Sequence, residues 1–225
     1  MTTPGNVRPP RAEVLRRIEE IGIVPVIRSP SADVALRAVE AIVEGGIPIC
    51  EITMTVPDAP ALIRAVVGRL GDRALVGAGT VLDAAAATVC LEAGAAFLVG
   101  PGLDLDVVAV ARKHDVAVMP GALTPTEVIA AWRAGADMVK IFPVSAMGGA
   151  SYLRALRAPL PQVKLLPTGG INVSNLADYV QAGAAAVGIG GELVDPAAIA
   201  RGEAGVITER ARALRAEITR VRGAR

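Results

Sequence analysis

The chain reads as an α/β protein of the (β/α)8 TIM-barrel class, folded as one domain. Three observations predict this. Eight short apolar runs recur along its 225 residues, each separated from the next by a stretch with helical spacing. The runs are evenly spaced. Taking one central residue of each (Val24, Cys50, Val76, Leu98, Ala117, Val139, Leu165, Val187), the steps are 26, 26, 22, 19, 22, 26 and 22 residues. A strand–helix unit repeated eight times at that length is what a barrel requires, whereas a doubly wound open sheet, the nearest alternative, more usually has ~5 to 7 strands. Third, apolar residues make up 52% of the chain while aromatics make up 2%. A core of Ala, Val, Ile and Leu suits parallel strands buried on both faces under alanine-rich helices.

In order, residues 1–10 show no periodicity and are expected as a flexible tail, with the barrel over residues 11–225. The N-terminus lacks the apolar stretch of a secretory signal, so a cytoplasmic location is expected. Residues 11–21 have the amphipathic spacing of a short helix ahead of the first strand. The strands then fall at residues 23–28, 49–53, 75–80, 97–101, 116–120, 138–143, 164–168 and 186–190. Helices are expected at residues 33–44, from near Pro57, and at 84–93, 106–114, 125–134, 151–156 and 174–182, with a last helix within 195–222. Gly94, Gly135 and Gly183 each follow a helix, where a left-handed C-terminal glycine belongs.

Composition excludes several functions. The net charge of +1 marks neither a nucleic-acid binder nor an anionic-membrane binder. No apolar run is long enough to span a membrane. Cys50 and Cys90 fit reduced, packed thiols, and the only histidine, His114, lies in the polar end of a helix, Arg-Lys-His-Asp. A His- or Cys-rich zinc site and a Ser-His-Asp triad are therefore not expected.

The residue that needs explaining is Lys140, inside the apolar run Met138-Val-Lys-Ile-Phe-Pro143. A buried ammonium is costly unless it is paired or partly neutral, and a partly neutral lysine is a nucleophile. Side chains alternate along a strand, so Lys140 facing inward takes Met138 and Phe142 with it and turns Val139 and Ile141 toward the helices. In the second strand, Glu51 inward takes Ile49 and Thr53 and turns Cys50 and Ile52 outward. Strands two and six lie opposite each other in an eight-stranded ring, so Glu51 and Lys140 can meet across the interior. Such a pair is either a structural ion pair or the amine and carboxylate that imine chemistry uses. Arg28, Thr80 and Thr168 stand at C-terminal strand ends, where barrel active sites are built. Arg28 suits a substrate carboxylate or a rim salt bridge. Thr80 suits a substrate contact or simply a strand end. Gly169 and Gly170 follow the seventh strand, and Gly190 and Gly191 the eighth. Loops there are the usual phosphate position, with backbone N–H groups as donors.

The motifs Val24-Pro-Val-Ile-Arg28, Glu51-Ile-Thr, Gly77-Ala-Gly-Thr-Val-Leu82, Pro101-Gly-Leu103, Val139-Lys-Ile-Phe-Pro143 and Pro167-Thr-Gly-Gly-Ile171 occur in this order. In this the chain resembles the aldolases for 2-keto-3-deoxy-6-phosphogluconate and 2-keto-4-hydroxyglutarate, which are class I aldolases on a (β/α)8 barrel. The resemblance covers residues from about 21 to about 194. It implies a carbon–carbon lyase that cleaves a 2-keto-3-deoxy-6-phospho sugar acid or 4-hydroxy-2-oxoglutarate to pyruvate and an aldehyde. It also implies a homotrimer that needs no metal. Lys140 corresponds to the Schiff-base lysine and Glu51 to the general acid/base. Thr80 corresponds to a group on the pyruvate carboxylate, and Gly169, Gly170, Gly190 and Gly191 to a backbone phosphate site. Two positions differ from the family pattern. Thr55 stands where some members have a carboxylate-binding arginine, a task that Arg28 would then take. Gly191 stands where a phosphate-binding serine is common, and Glu192 follows it. A sugar-phosphate isomerase or epimerase is the alternative that the barrel and its glycine loops allow.

Overall fold

Residues 11–21 fold as helix α1 (Arg11–Ile21), which buries Val14 and Ile18 and stops at Gly22, in the left-handed region at φ 72°. The computed structural model describes residues 8–223. Of the stretch expected as a tail, residues 1–7 lie outside the described residues. Arg8 is tied down, its Nη2 donating to Leu91 O at 2.7 Å.

Strands and helices then alternate: β1 (Ile23–Ile27), α2 (Ala32–Glu44), β2 (Ile49–Thr53), α3 (Ala59–Leu70), β3 (Leu75–Gly79), α4 (Ala84–Glu92), β4 (Phe97–Val99), α5 (Leu105–Lys113), β5 (Ala117–Met119), β6 (Gly121–Ala122), α6 (Pro125–Arg133), β7 (Val139–Ile141), α7 (Ala150–Arg157), β8 (Leu165–Pro167), α8 (Leu176–Gln181), β9 (Val187–Ile189), α9 (Pro196–Ala200) and α10 (Ala204–Gly223). Helix starts follow capping chemistry. Side chains of Ser31, Asp83, Asp104, Thr124 and Asp195 accept first-turn N–H groups. Thr124 and Glu127 complete a reciprocal capping box on α6.

The strand pairings among the described residues are parallel. They form one six-stranded sheet, ordered β5-β4-β3-β2-β1-β9, and one three-stranded sheet, ordered β6-β7-β8. This differs from the single eight-stranded ring expected, and Pro120 gives a physical reason. Proline has no N–H for a ladder. The expected fifth strand is therefore cut, with β5 before Pro120 pairing to β4 and β6 after it pairing to β7. Pro120 O still accepts Lys140 N at 2.9 Å. On the other side a parallel bridge joins Thr168, just past β8, to Gly188 in β9. The last helix is also broken in two, α9 and α10, with Gly202 left-handed at φ 83° between them.

The apolar residues sort into two layers. One packs the strands against the helices and contains Cys50, Ile52, Val139 and Ile141. The other lies on the opposite strand face and contains Val24, Ile49, Leu75, Phe97, Met119, Met138 and Leu166, together with Val14 and Ile18 of α1. Alternation thus sends β2 and β7 residues to the expected sides. Among the described residues no helix is long and apolar enough to cross a membrane.

Candidate active site

Two residues past Ile49 and Met138 on the inner face come Glu51 and Lys140. Both are buried, with side chains 1% and 3% exposed, and Lys140 Nζ stands 3.4 Å from Glu51 Oε1. The partners are 89 positions apart in sequence, so strand placement alone brings them together. Glu51 is aligned with Val26 on β1 and Gly77 on β3. Its side chain crosses Gly79, where an added Cβ would overlap Glu51 Oε1 and Cγ. Glycine at 79 therefore leaves the lane in which the carboxylate lies. Gly77 does the same for the Phe97 ring. One pleat further along β2, Thr53 Oγ1 donates to Ile27 O at 2.9 Å and lies 2.7 Å from Thr55 Oγ1.

A buried ammonium and carboxylate at this distance lose much hydration, and their attraction repays it only in part. Lys140 has one further partner: its Nζ lies 5.5 Å from the centroid of the Phe142 ring, within cation–π range. Cys50 and Cys90 are also buried, but burial pushes their thiols up to about 12 and about 11. They carry their protons at neutral pH and are inert as nucleophiles. Among the described residues no group of three or more His, Cys, Asp or Glu side chains could hold a metal ion.

Phe142 also lines a cleft of ≈ 270 Å³, with Val26, Arg28, Thr168, residues 169–171 and residues 190–192. Of the expected site residues, Arg28, Thr168, Gly169, Gly170, Gly190 and Gly191 therefore share one cavity. Lys140 and Glu51 do not line it, but Phe142, which does, has its ring centroid 5.5 Å from Lys140 Nζ. Thr80 does not line the cleft. It follows β3 directly, in the left-handed region at φ 57°, a rare conformation for a β-branched residue and one that concentrates at functional sites. The glycine pairs differ in kind. Gly169 and Gly170 have φ of 103° and 71°, and a Cβ at Gly170 would crowd Ser145. Gly191 has nothing within 4 Å of an added Cβ, so the fold does not demand glycine there.

Sequence reasoning missed Gly79, Val26 and Ile171. Gly79 sits inside the motif Gly77-Ala-Gly-Thr-Val-Leu82, but its task depends on the β2–β3 register, which periodicity does not reveal. For Phe142 the alternation predicts an inward direction but no role.

Comparison with known proteins covers nearly the whole chain. Residues 14–209 match the family described as KDPG and KHG aldolase. A KHG/KDPG aldolase of Escherichia coli (strain K12) is 36% identical over 84% of this chain and 89% of its own length. A 2-dehydro-3-deoxy-6-phosphogalactonate aldolase of the same organism is 35% identical over 77% of this chain and 85% of its own. The crystal structure of a KDPG aldolase from Legionella pneumophila, with pyruvate captured as a covalent carbinolamine intermediate, superposes with a TM-score of 0.83 at 31% identity. It covers 89% of this chain and 97% of the other.

Proposed function

This chain belongs to the KDPG and KHG aldolase family, a group of carbon–carbon lyases, and we propose that its chemistry runs through Lys140 and Glu51. The observation that carries this is the buried 3.4 Å approach of an amine to a carboxylate on the inner strand face. The Lys140 amine adds to the ketone of a 2-keto-4-hydroxy acid, and the carbinolamine loses water to give a protonated imine. Glu51 takes the proton from the 4-hydroxyl, directly or through a water. The C3–C4 bond breaks, its electron pair enters the imine as an enamine, and the aldehyde leaves. Protonation at C3 and addition of water then release pyruvate and restore the amine. The Legionella relative, in which pyruvate was captured as a carbinolamine, supports this route. An isomerase or epimerase would leave the buried amine without a task.

The substrates named for relatives point to 2-keto-3-deoxy-6-phospho sugar acids and 4-hydroxy-2-oxoglutarate. In this reading Arg28 and Thr80 hold the keto acid's carboxylate. Thr168, Gly169, Gly170, Gly190 and Gly191 hold the far end of the substrate. We read residues 11–225 as one domain whose two sheets complete a (β/α)8 barrel, a reading supported by the Thr168–Gly188 bridge and by the short step across Pro120. A homotrimer in the cytoplasm, with no nucleic-acid or membrane partner, completes the proposal.

The test is to reduce the enzyme with borohydride in the presence of pyruvate and map the adduct by mass spectrometry. A pyruvyl mass on Lys140 is the expected result. Attachment elsewhere, or none, overturns the assignment.

A further inference from the structure

The cleft lined by Phe142 carries two charged side chains, Arg28 and Glu192. Glu192 lies at the glycine-rich end, beside Gly190 and Gly191, where a substrate's far end would sit. Both charged residues are exposed. Neither takes part in an ion pair among the described residues, so Arg28 does not cancel the carboxylate at short range. Glu192 also borders a neighbouring cavity that Arg210 lines, but Arg210 faces Asp195, with Nη2 and Oδ2 3.8 Å apart. The cleft therefore offers neutral backbone donors, one threonine hydroxyl, one cation and one anion.

That inventory is poor for a phosphate dianion and good for hydroxyl groups. A carboxylate repels a dianion placed beside it. A hydroxyl instead donates a charge-assisted hydrogen bond to that carboxylate while accepting from a glycine N–H. We propose that Glu192 makes this cleft selective for the uncharged, hydroxylated end of an unphosphorylated 2-keto-3-deoxy sugar acid, and against its phosphorylated counterpart. Gly191 adds to the effect. It brings no hydroxyl donor, and the open space around it leaves room for the polyol. The inference rests on the lyase reading above, keeps its keto-acid chemistry, and departs from the phosphorylated sugar acids named for relatives.

The experiment compares kcat/KM for 2-keto-3-deoxygluconate and its 6-phosphate, measured by pyruvate release, in wild type, Glu192→Gln and Gly191→Ser. Wild type is expected to favour the unphosphorylated acid by on the order of 10-fold or more, as a site built for hydroxyls does. Glu192→Gln removes the repulsion and should move that ratio by about 10-fold toward the phosphate, mainly through KM. Gly191→Ser supplies a donor and should move it the same way. A wild-type preference for the phosphate overturns the proposal. So does an unchanged ratio in both variants, the result expected if Glu192 turns away toward Arg210. Borohydride labelling with pyruvate is run alongside. Labelled Lys140 with a phosphate preference overturns this inference alone, whereas no label and no turnover of either acid overturns the lyase reading with it.

Discussion

At 3.4 Å, Lys140 Nζ and Glu51 Oε1 are within reach of proton exchange, directly or through one shared water. Glu51→Gln keeps the shape and removes the base. It should lower turnover by roughly 10² to 10⁴, the usual range for a positioned acid/base group. Near-normal turnover would make the pair purely structural. Gly79 is expected to matter almost as much without touching substrate. A methyl group there would overlap Glu51 Oε1, so Gly79→Ala should displace the carboxylate and cut kcat by about tenfold or more. Pyruvate should still label Lys140 in that variant, which separates lost positioning from lost folding. If Gly79→Ala keeps wild-type kcat, the carboxylate does not need that lane. The two residues were not equally legible in sequence. A lysine in an apolar run stands out because burying it costs so much. A glycine stands out only once its cross-strand neighbour is known.

Among elements, the positions of strands and helices are legible in the sequence to within about two residues, whereas the pairing of the strands is not. Gly94, Gly135 and Gly183 have the left-handed φ values of 100°, 97° and 90° expected after helices, because a chain ending a helix this way needs a residue without a Cβ penalty. Strand pairing is a long-range property, so a proline at the end of an apolar run gave no sign that it would divide two sheets. Likewise, nothing periodic separates α9 from α10. The break falls where Gly202 turns the chain. Element α1 makes its own prediction. It closes one end of the inner layer with Val14 and Ile18, and Arg11 pins it through Asp137, Nη2 to Oδ1 at 2.5 Å. Asp137 is 4% exposed and also accepts Val118 N at 2.9 Å. Arg11→Met keeps most of the side-chain length but leaves that carboxylate with a backbone donor only. Unfolding in urea should show a loss of about 1 to 3 kcal/mol. An unchanged midpoint would mean that water replaces the guanidinium at no cost.

For the molecule as a whole, the same strand β2 that sends Glu51 inward sends Cys50 outward under the helices, and this second face governs stability at high pH. Burial raises the Cys50 thiol from 9.0 to about 12 and the Cys90 thiol from 9.0 to about 11. Below the ordinary value both folded and unfolded chains keep these protons, and the thiols leave stability independent of pH. Above it the unfolded chain ionises while the folded chain cannot, so stability falls with rising pH, at up to about 1.4 kcal/mol per unit for each thiol. The fall continues until the folded thiols themselves ionise, near 11 and 12. At the acid end the sign reverses. Arg16 holds Glu13, Arg201 holds Glu203 and Arg220 holds Glu217 below the ordinary carboxylate value of 4.5, and the N–H groups of Leu123 and Thr124 do the same for Glu127. Their contribution is present above 4.5 and is lost as pH falls through the folded values; being exposed and screened, they set a shallow slope. The expected profile is a plateau that ends steeply on the alkaline side and gently on the acid side. Urea midpoints under reducing conditions, from about pH 8 to about pH 9.3, stay below the range in which unfolded-chain tyrosines, with an ordinary value of 10.0, ionise appreciably. Over that interval the Cys50→Ala, Cys90→Ala double variant should lose most of the slope even if its overall stability is lower. Identical slopes in the two proteins would place the alkaline limit in other groups and remove the thiols from the account.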